Sequence, residues 1–223
     1  MKIHTKITSI AGLAGSGLIA LSSLLSAGVY KGKYGEPFSF LNHFISELGE
    51  VGVSEWASVF NLGLIVGGLC LTLFMLGLAS HLGGWFGVVF GMISFVTGVS
   101  GTLVGIFPMN NLAPHIQIAL TFFYSGMFAT ILFSTYVLFS RQDKFRKTIA
   151  IPGTLTAVCF FSFLFLTDPA VPEGQWHDMA EIFANRPDYW QTAVFEWAVL
   201  VTVLAFVVVV SVTLLRQENA SKR

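Results

Sequence analysis

Six long apolar runs leave this chain few folds to adopt. They occupy 7–29, 57–79, 84–106, 116–139, 148–167 and 193–214, each 20 to 24 residues long and almost free of charge. About 20 apolar residues in a helix cross a hydrocarbon core roughly 30 Å thick. Inside lipid every backbone polar group must find its partner within the segment, so helices are the structures that fit. Composition agrees: of 223 residues, 54% are hydrophobic and 11% charged, against about 25% charged in an ordinary soluble domain. The expected fold is all-α, a polytopic membrane protein with a six-transmembrane-helix bundle as one domain over 1–223 and amphipathic helices in the outer loops. The first run reads as a retained span, because its 23 residues exceed the roughly 7–15 of a signal-peptide core.

Charge fixes the expected orientation. With the N-terminus inside, the inner segments hold Lys2, Lys6, Arg141, Lys144, Arg146, Lys147, Arg216, Lys222 and Arg223, and the outer ones only Lys31, Lys33 and Arg186. Nine basic residues against three place both termini in the cytoplasm by the positive-inside rule. No basic patch with interleaved aromatics marks a nucleic-acid surface. A membrane lipid is the expected partner, and a homo-oligomer stays open. Cys70 and Cys159 both fall within spans and read as small buried hydrophobes.

Two outer loops, 30–56 and 168–192, are long. Between Pro37 and Gly49, the residues Phe38, Leu41, Phe44, Ile45 and Leu48 recur at spacings of three and four, with Ser39, Asn42, His43, Ser46 and Glu47 on the other side. That spacing predicts an amphipathic helix on the membrane surface or over the bundle mouth. In the second loop, Trp176, Met179 and Phe183 oppose His177, Asp178 and Glu181 between Pro172 and Pro187. His43, Glu47 and Trp56 repeat the spacing of His177, Glu181 and Trp190, which is either a decayed parallel repeat or coincidence. Glycines Gly87, Gly91, Gly101 and Gly105 predict close packing of span three and put it at the centre of the bundle.

The residues able to carry chemistry gather on the outer side. His43, His115 and His177 come from three different outer loops, and Glu47, Glu181 and Glu196 accompany them. Glu196 stands within an apolar run, and a carboxylate at membrane depth usually faces a partner or a cavity. Asn61 is its counterpart in span two. The candidate catalytic residues are therefore His43, Ser46, Glu47, His115 and Glu196, and the candidate substrate-binding residues Asn42, Asn61, His177 and Glu181. A divalent metal such as zinc wants three N/O ligands and an open position. The three histidines can supply them, with Glu47 or Glu181 orienting a ring or the water. The His-x-x-x-Glu spacing is no established metal signature, and solvated histidines beside ordinary surface acids account for the same residues. Ser46 beside His43 is a further nucleophile candidate, without an elbow motif to support it.

Ile45–Gly49 (ISELG), Phe60–Leu64 (FNLGL) and Gly105–Pro108 (GIFP), followed by His115, resemble in order the motifs of domain-of-unknown-function family 998. The resemblance covers about residues 7–140, and more loosely the rest. It departs at Asn110, where an acidic residue is expected. The ISELG segment is also distantly similar to six-span eukaryotic proteins linked to lipid-anchor remodelling and autophagy modulation. The resemblance implies a six-helix membrane fold and an outer-face motif cluster, and no particular activity. Three readings remain: a site for a lipid or lipid-linked head group at the outer membrane face, a permeation pathway using Glu196 and Asn61, and a non-catalytic binding or packing protein. Whether the chain is an enzyme stays open.

Overall fold

The computed structural model describes residues 4–141, 144–167, 183 and 185–220. Six long helices carry it: α1 (Thr5–Val29), α2 (Ala57–Leu82), α3 (Gly84–Ile106), α4 (Leu112–Phe139), α5 (Ala150–Phe165) and α6 (Gln191–Ala220). Short 3-10 turns lie at Ile45–Gly49, Met109–Asn111 and Lys147–Ile149. With its following or preceding turn, each helix is long and apolar enough to cross a membrane, and the protein is an integral membrane protein.

The helices form a ring. Each packs on its sequence neighbours, and α6 returns to pack on α1. The expectation of a central span three is therefore corrected: α3 lies on the perimeter between α2 and α4, with Trp85, Met92 and Phe95 exposed outward. Its glycines do make close contacts, but toward α2. A Cβ on Gly105 would lie 2.6 Å from the backbone oxygen of Asn61, and one on Gly87 would lie 2.5 Å from that of Ala79. Only Gly83 separates α2 from α3. Gly83 and Gly84 have φ of +68° and +60°, a region that glycine alone enters without a Cβ penalty, and this allows the tight reversal.

One face, the termini face, carries Thr5, Ala220 and residues 144–147 of the connection between α4 and α5. Lys144 donates to the carbonyls of His81 and Leu82, at the end of α2, at 2.9 and 2.6 Å. Lys147 donates to those of Val137 and Leu138, at the end of α4, at 2.8 and 2.6 Å. A helix end leaves its last carbonyls unpaired and carries partial negative charge, so an ammonium there meets both demands. Gln217 of α6 donates to the Lys144 carbonyl, and Phe145 is buried against Phe133 and His81. This connection thus closes the ring at the termini face.

The opposite, loop face departs from the sequence expectation. Residues 38–48 do not form an amphipathic helix; they run as turns into the 3-10 turn Ile45–Gly49. The polar side chains there satisfy backbone groups that a helix would have used. The Ser39 hydroxyl accepts from Leu41 N–H, His43 Nδ1 from Ser39 N–H, and Glu47 from Phe44 N–H. Such local bonds compete with helix formation. Ile45 and Leu48 point into the ring, Leu48 fully buried with Tyr30, Ile45, Phe60 and Trp197, while Leu41 is exposed. The helix expected in the second outer loop lies outside the described residues.

Candidate functional site

The Ile45–Gly49 turn plugs the ring mouth, and each of its polar neighbours fixes part of it. Asn61 of α2 donates to the Gly49 carbonyl at 2.9 Å, and a Cβ at Gly49 would fall on the Asn61 side-chain oxygen. Asn110 accepts from Val51 N–H at 2.8 Å and donates to the Val51 carbonyl at 2.9 Å. An acidic residue at position 110 would lose the second bond, since a carboxylate has no proton to donate. Glu196 of α6 accepts the Ile45 N–H at 2.7 Å, while the preceding amide, of Phe44, goes to Glu47 at 2.7 Å. Two carboxylates therefore hold consecutive amides of one turn.

Glu47 faces away from the ring interior. It is 3% exposed and lies in a two-point pair with Arg186, at 3.1 and 2.8 Å, with the Tyr30 hydroxyl at 3.4 Å. Arg186 also donates to the Asn42 and Phe183 carbonyls and lies over the Phe183 ring. Asn42 donates to the Pro187 carbonyl, and Trp190 N–H to the Leu41 carbonyl. Residues 41–47 and 186–190 are thus tied together. Burial and the Glu47 carboxylate push the Tyr30 phenol up, so it stays a donor. Around this pair lies a polar pocket of about 230 Å³, with Lys33, Glu36 and Glu50 on its walls. Burial pushes the Glu50 carboxyl up, and Lys33 and then Arg186 pull it the other way.

His43 is 2% exposed and sits between the Tyr30 and Phe38 rings, its carbonyl held by the Trp197 indole N–H at 3.1 Å. Its Nδ1 meets Asn42 Oδ1 at 2.8 Å, and its Nε2 has no hydrogen-bond partner, with Glu36 at 3.9 Å. Burial holds its pKa below the usual 6.5, outweighing the opposing pull of Glu47. The unfolded chain therefore takes up a proton first as pH falls. His43 should cost stability below about pH 6.5 and contribute no slope above it. In detergent, the unfolding midpoint of the parent is expected to fall between pH 7.5 and 5.5 more steeply than that of His43→Gln; equal slopes would refute this.

The ring interior holds a separate cavity of about 150 Å³, lined from all six helices and almost wholly apolar. Its polar groups cluster at the loop-face end, where Ser46, His115 and Glu196 line it. His115 is 6% exposed, and its Nδ1 lies 2.7 Å from the Phe107 carbonyl. A carbonyl only accepts, so this contact assigns the proton to Nδ1 and leaves Nε2 a lone pair. Among the described residues, neither the Ser46 hydroxyl nor the second oxygen of Glu196 has a protein partner. Deeper in, Thr97 and Thr130 line the cavity, but their hydroxyls donate to carbonyls of their own helices.

The turn thus divides the candidate residues. Ser46, His115 and Glu196 share the inner cavity; Glu47 lines the outer pocket beside Arg186, with His43 and Asn42 next to it. Asn61 is engaged in holding the turn. His177 and Glu181, which match His43 and Glu47 in the spacing of the two loops, lie outside the described residues. Among the described residues, no three His, Cys, Asp or Glu side chains converge as a metal site requires. Among the described residues, the cavity lining beyond its loop-face end is apolar apart from Thr97 and Thr130. Arg186, Tyr30 and Trp197 were not singled out by sequence. Arg186 had one signal: it is among only three basic residues on a side rich in acids.

No curated protein and no solved structure matches the chain. The family described as "Protein of unknown function (DUF998)" matches residues 13–213, nearly the whole chain and all six helices, and the protein belongs to it.

Proposed function

We propose that this protein binds a membrane lipid, holding part of an apolar chain inside the helix ring and the head group at the loop-face end. The observation that supports this is the cavity itself: about 150 Å³, apolar along its length, with Ser46, His115 and Glu196 at one end only. Apolar cavities of this size stay dry and admit apolar guests. Ligand sites are typically of this kind, mostly apolar with a few convergent polar groups. The test is retention of lipid by the full chain purified in mild detergent, read by native mass spectrometry. The parent should carry a chain-bearing molecule. Ala119→Trp, which fills the cavity from α4, should lose it while remaining folded. Equal occupancy in both proteins, or none in either, would overturn the reading.

We further propose that the termini face is cytoplasmic, because of the described basic residues it gathers Lys6, Arg141, Lys144, Arg146, Lys147 and Arg216, against Lys31, Lys33 and Arg186 on the loop face. The loop face, with the Glu47–Arg186 pocket, then lies outside. A cysteine at the exposed position Arg141 should resist a membrane-impermeant thiol reagent in intact cells, and one at Leu41 should react. The reverse pattern would invert the topology.

A further inference from the structure

We infer that the cavity selects a lipid whose head group donates hydrogen bonds and carries no negative charge, a single-chain alcohol or amine in place of a phosphate or carboxylate. This rests on the lipid-binding reading above and names its ligand class. The groups left unpartnered at the polar end include one fixed acceptor. His115 has its Nδ1 committed to Phe107, so what remains is the Nε2 lone pair. Glu196 gives one oxygen to Ile45 and keeps the other. Ser46 adds one hydroxyl that can both donate and accept. The His115 lone pair requires a donor from the guest whichever protonation state Glu196 holds, because a buried acceptor left unmade costs more than a made bond contributes.

Charge points the same way. Among the described residues, no Lys or Arg lines the cavity. The nearby cation, Arg186, is engaged by Glu47 across the turn, and Lys33 lines the outer pocket. A phosphate or carboxylate would therefore enter an apolar space beside Glu196 with no counter-charge, which is strongly unfavourable. A hydroxyl would give its proton to His115 or Glu196 and accept from Ser46. An amine would donate to His115 and, where Glu196 is ionised, to that carboxylate as well. The volume sets the number of chains: about 150 Å³ is the scale of a cavity that takes one benzene-sized guest, room for a stretch of one chain.

The experiment compares four probes of equal chain length with the full protein in detergent: octadecenol, octadecenylamine, octadecenyl phosphate and octadecene. Binding is read by native mass spectrometry and by the shift in unfolding midpoint. The alcohol or the amine, or both, should bind about ten-fold tighter than the alkene, as one or two net hydrogen bonds would give; which of the two is tighter identifies the donor. The phosphate should bind no better than the alkene. His115→Phe should bring the donor probes down to the alkene while the alkene still binds. Glu196→Gln, which keeps an oxygen for Ile45, checks the result should His115→Phe misfold, and should also narrow the gap. Equal binding of all four probes, or preference for the phosphate, overturns the head-group inference and leaves the cavity as a lipid site. Failure of every probe overturns both.

Discussion

Arg186→Leu is expected to be the most damaging single substitution in the loop-face structure. It would leave Glu47, 3% exposed, buried without its cation, with, among the described residues, only the Phe44 amide and the distant Tyr30 hydroxyl as partners. Removing one partner of a buried, hydrogen-bonded ion pair typically costs about 3–5 kcal/mol, most of it the penalty of the stranded charge. Arg186→Lys should recover only part, since an ammonium cannot reproduce the two-point geometry at 2.8 and 3.1 Å. The double variant Glu47→Leu/Arg186→Leu should be more stable than Arg186→Leu alone, because it removes the unpaired carboxylate. Denaturation of the parent and the three variants in one detergent decides the matter. An Arg186→Leu protein as stable as the parent would show that the pair contributes nothing.

The second large effect is expected at Gly105. A leucine there meets the Asn61 backbone oxygen, 2.6 Å from where its Cβ must lie, and the Ile65 and Leu64 side chains at 3.0 Å. Backbone cannot move aside as a side chain can, so α2 and α3 must separate. The cost should reach at least the upper end of the roughly 1–3 kcal/mol usual for overpacking. It should also loosen the Asn61 bond to Gly49, because the two share one stretch of α2. Gly101→Leu should be milder: its nearest neighbour is the Phe122 ring at 3.3 Å, and both residues line the cavity. Gly17 has nothing within 4 Å and is the control, at which leucine should be tolerated. Equal unfolding midpoints for Gly105→Leu and Gly17→Leu would mean that the α2–α3 contact is not tight.

The six spans were legible because lipid enforces length and apolarity with little tolerance. Their ends were less so. The run read as 116–139 begins as a helix at Leu112, and that read as 193–214 continues to Ala220. Hydropathy marks the bilayer, while the helix continues into polar residues beyond it. The ring was not legible, since residues facing the cavity and residues facing lipid are apolar alike; α2 shows no polar side from which to infer its neighbours. Glu196 was legible as a carboxylate out of place, but its partner, the Ile45 amide, is 151 residues away. The loop at 38–48 misled for a definite reason. Its apolar spacing fits a helix, yet Ser39, His43 and Glu47 each bind backbone within four residues, which spacing does not reveal. The pair Glu47–Arg186 joins two loops 139 residues apart and has no local signature.

The closure of the ring at both faces has a bearing on supply. At one end the Ile45–Gly49 turn fills the mouth, and at the other Phe145 and the lysine-tied connection form a floor. Traffic to the interior is then shortest through the seams between neighbouring helices, from the side of the bilayer. A guest arriving that way is drawn from a two-dimensional solution. Its effective concentration is its mole fraction among the surrounding lipids, so occupancy should track membrane composition and not the aqueous concentration of a poorly soluble ligand.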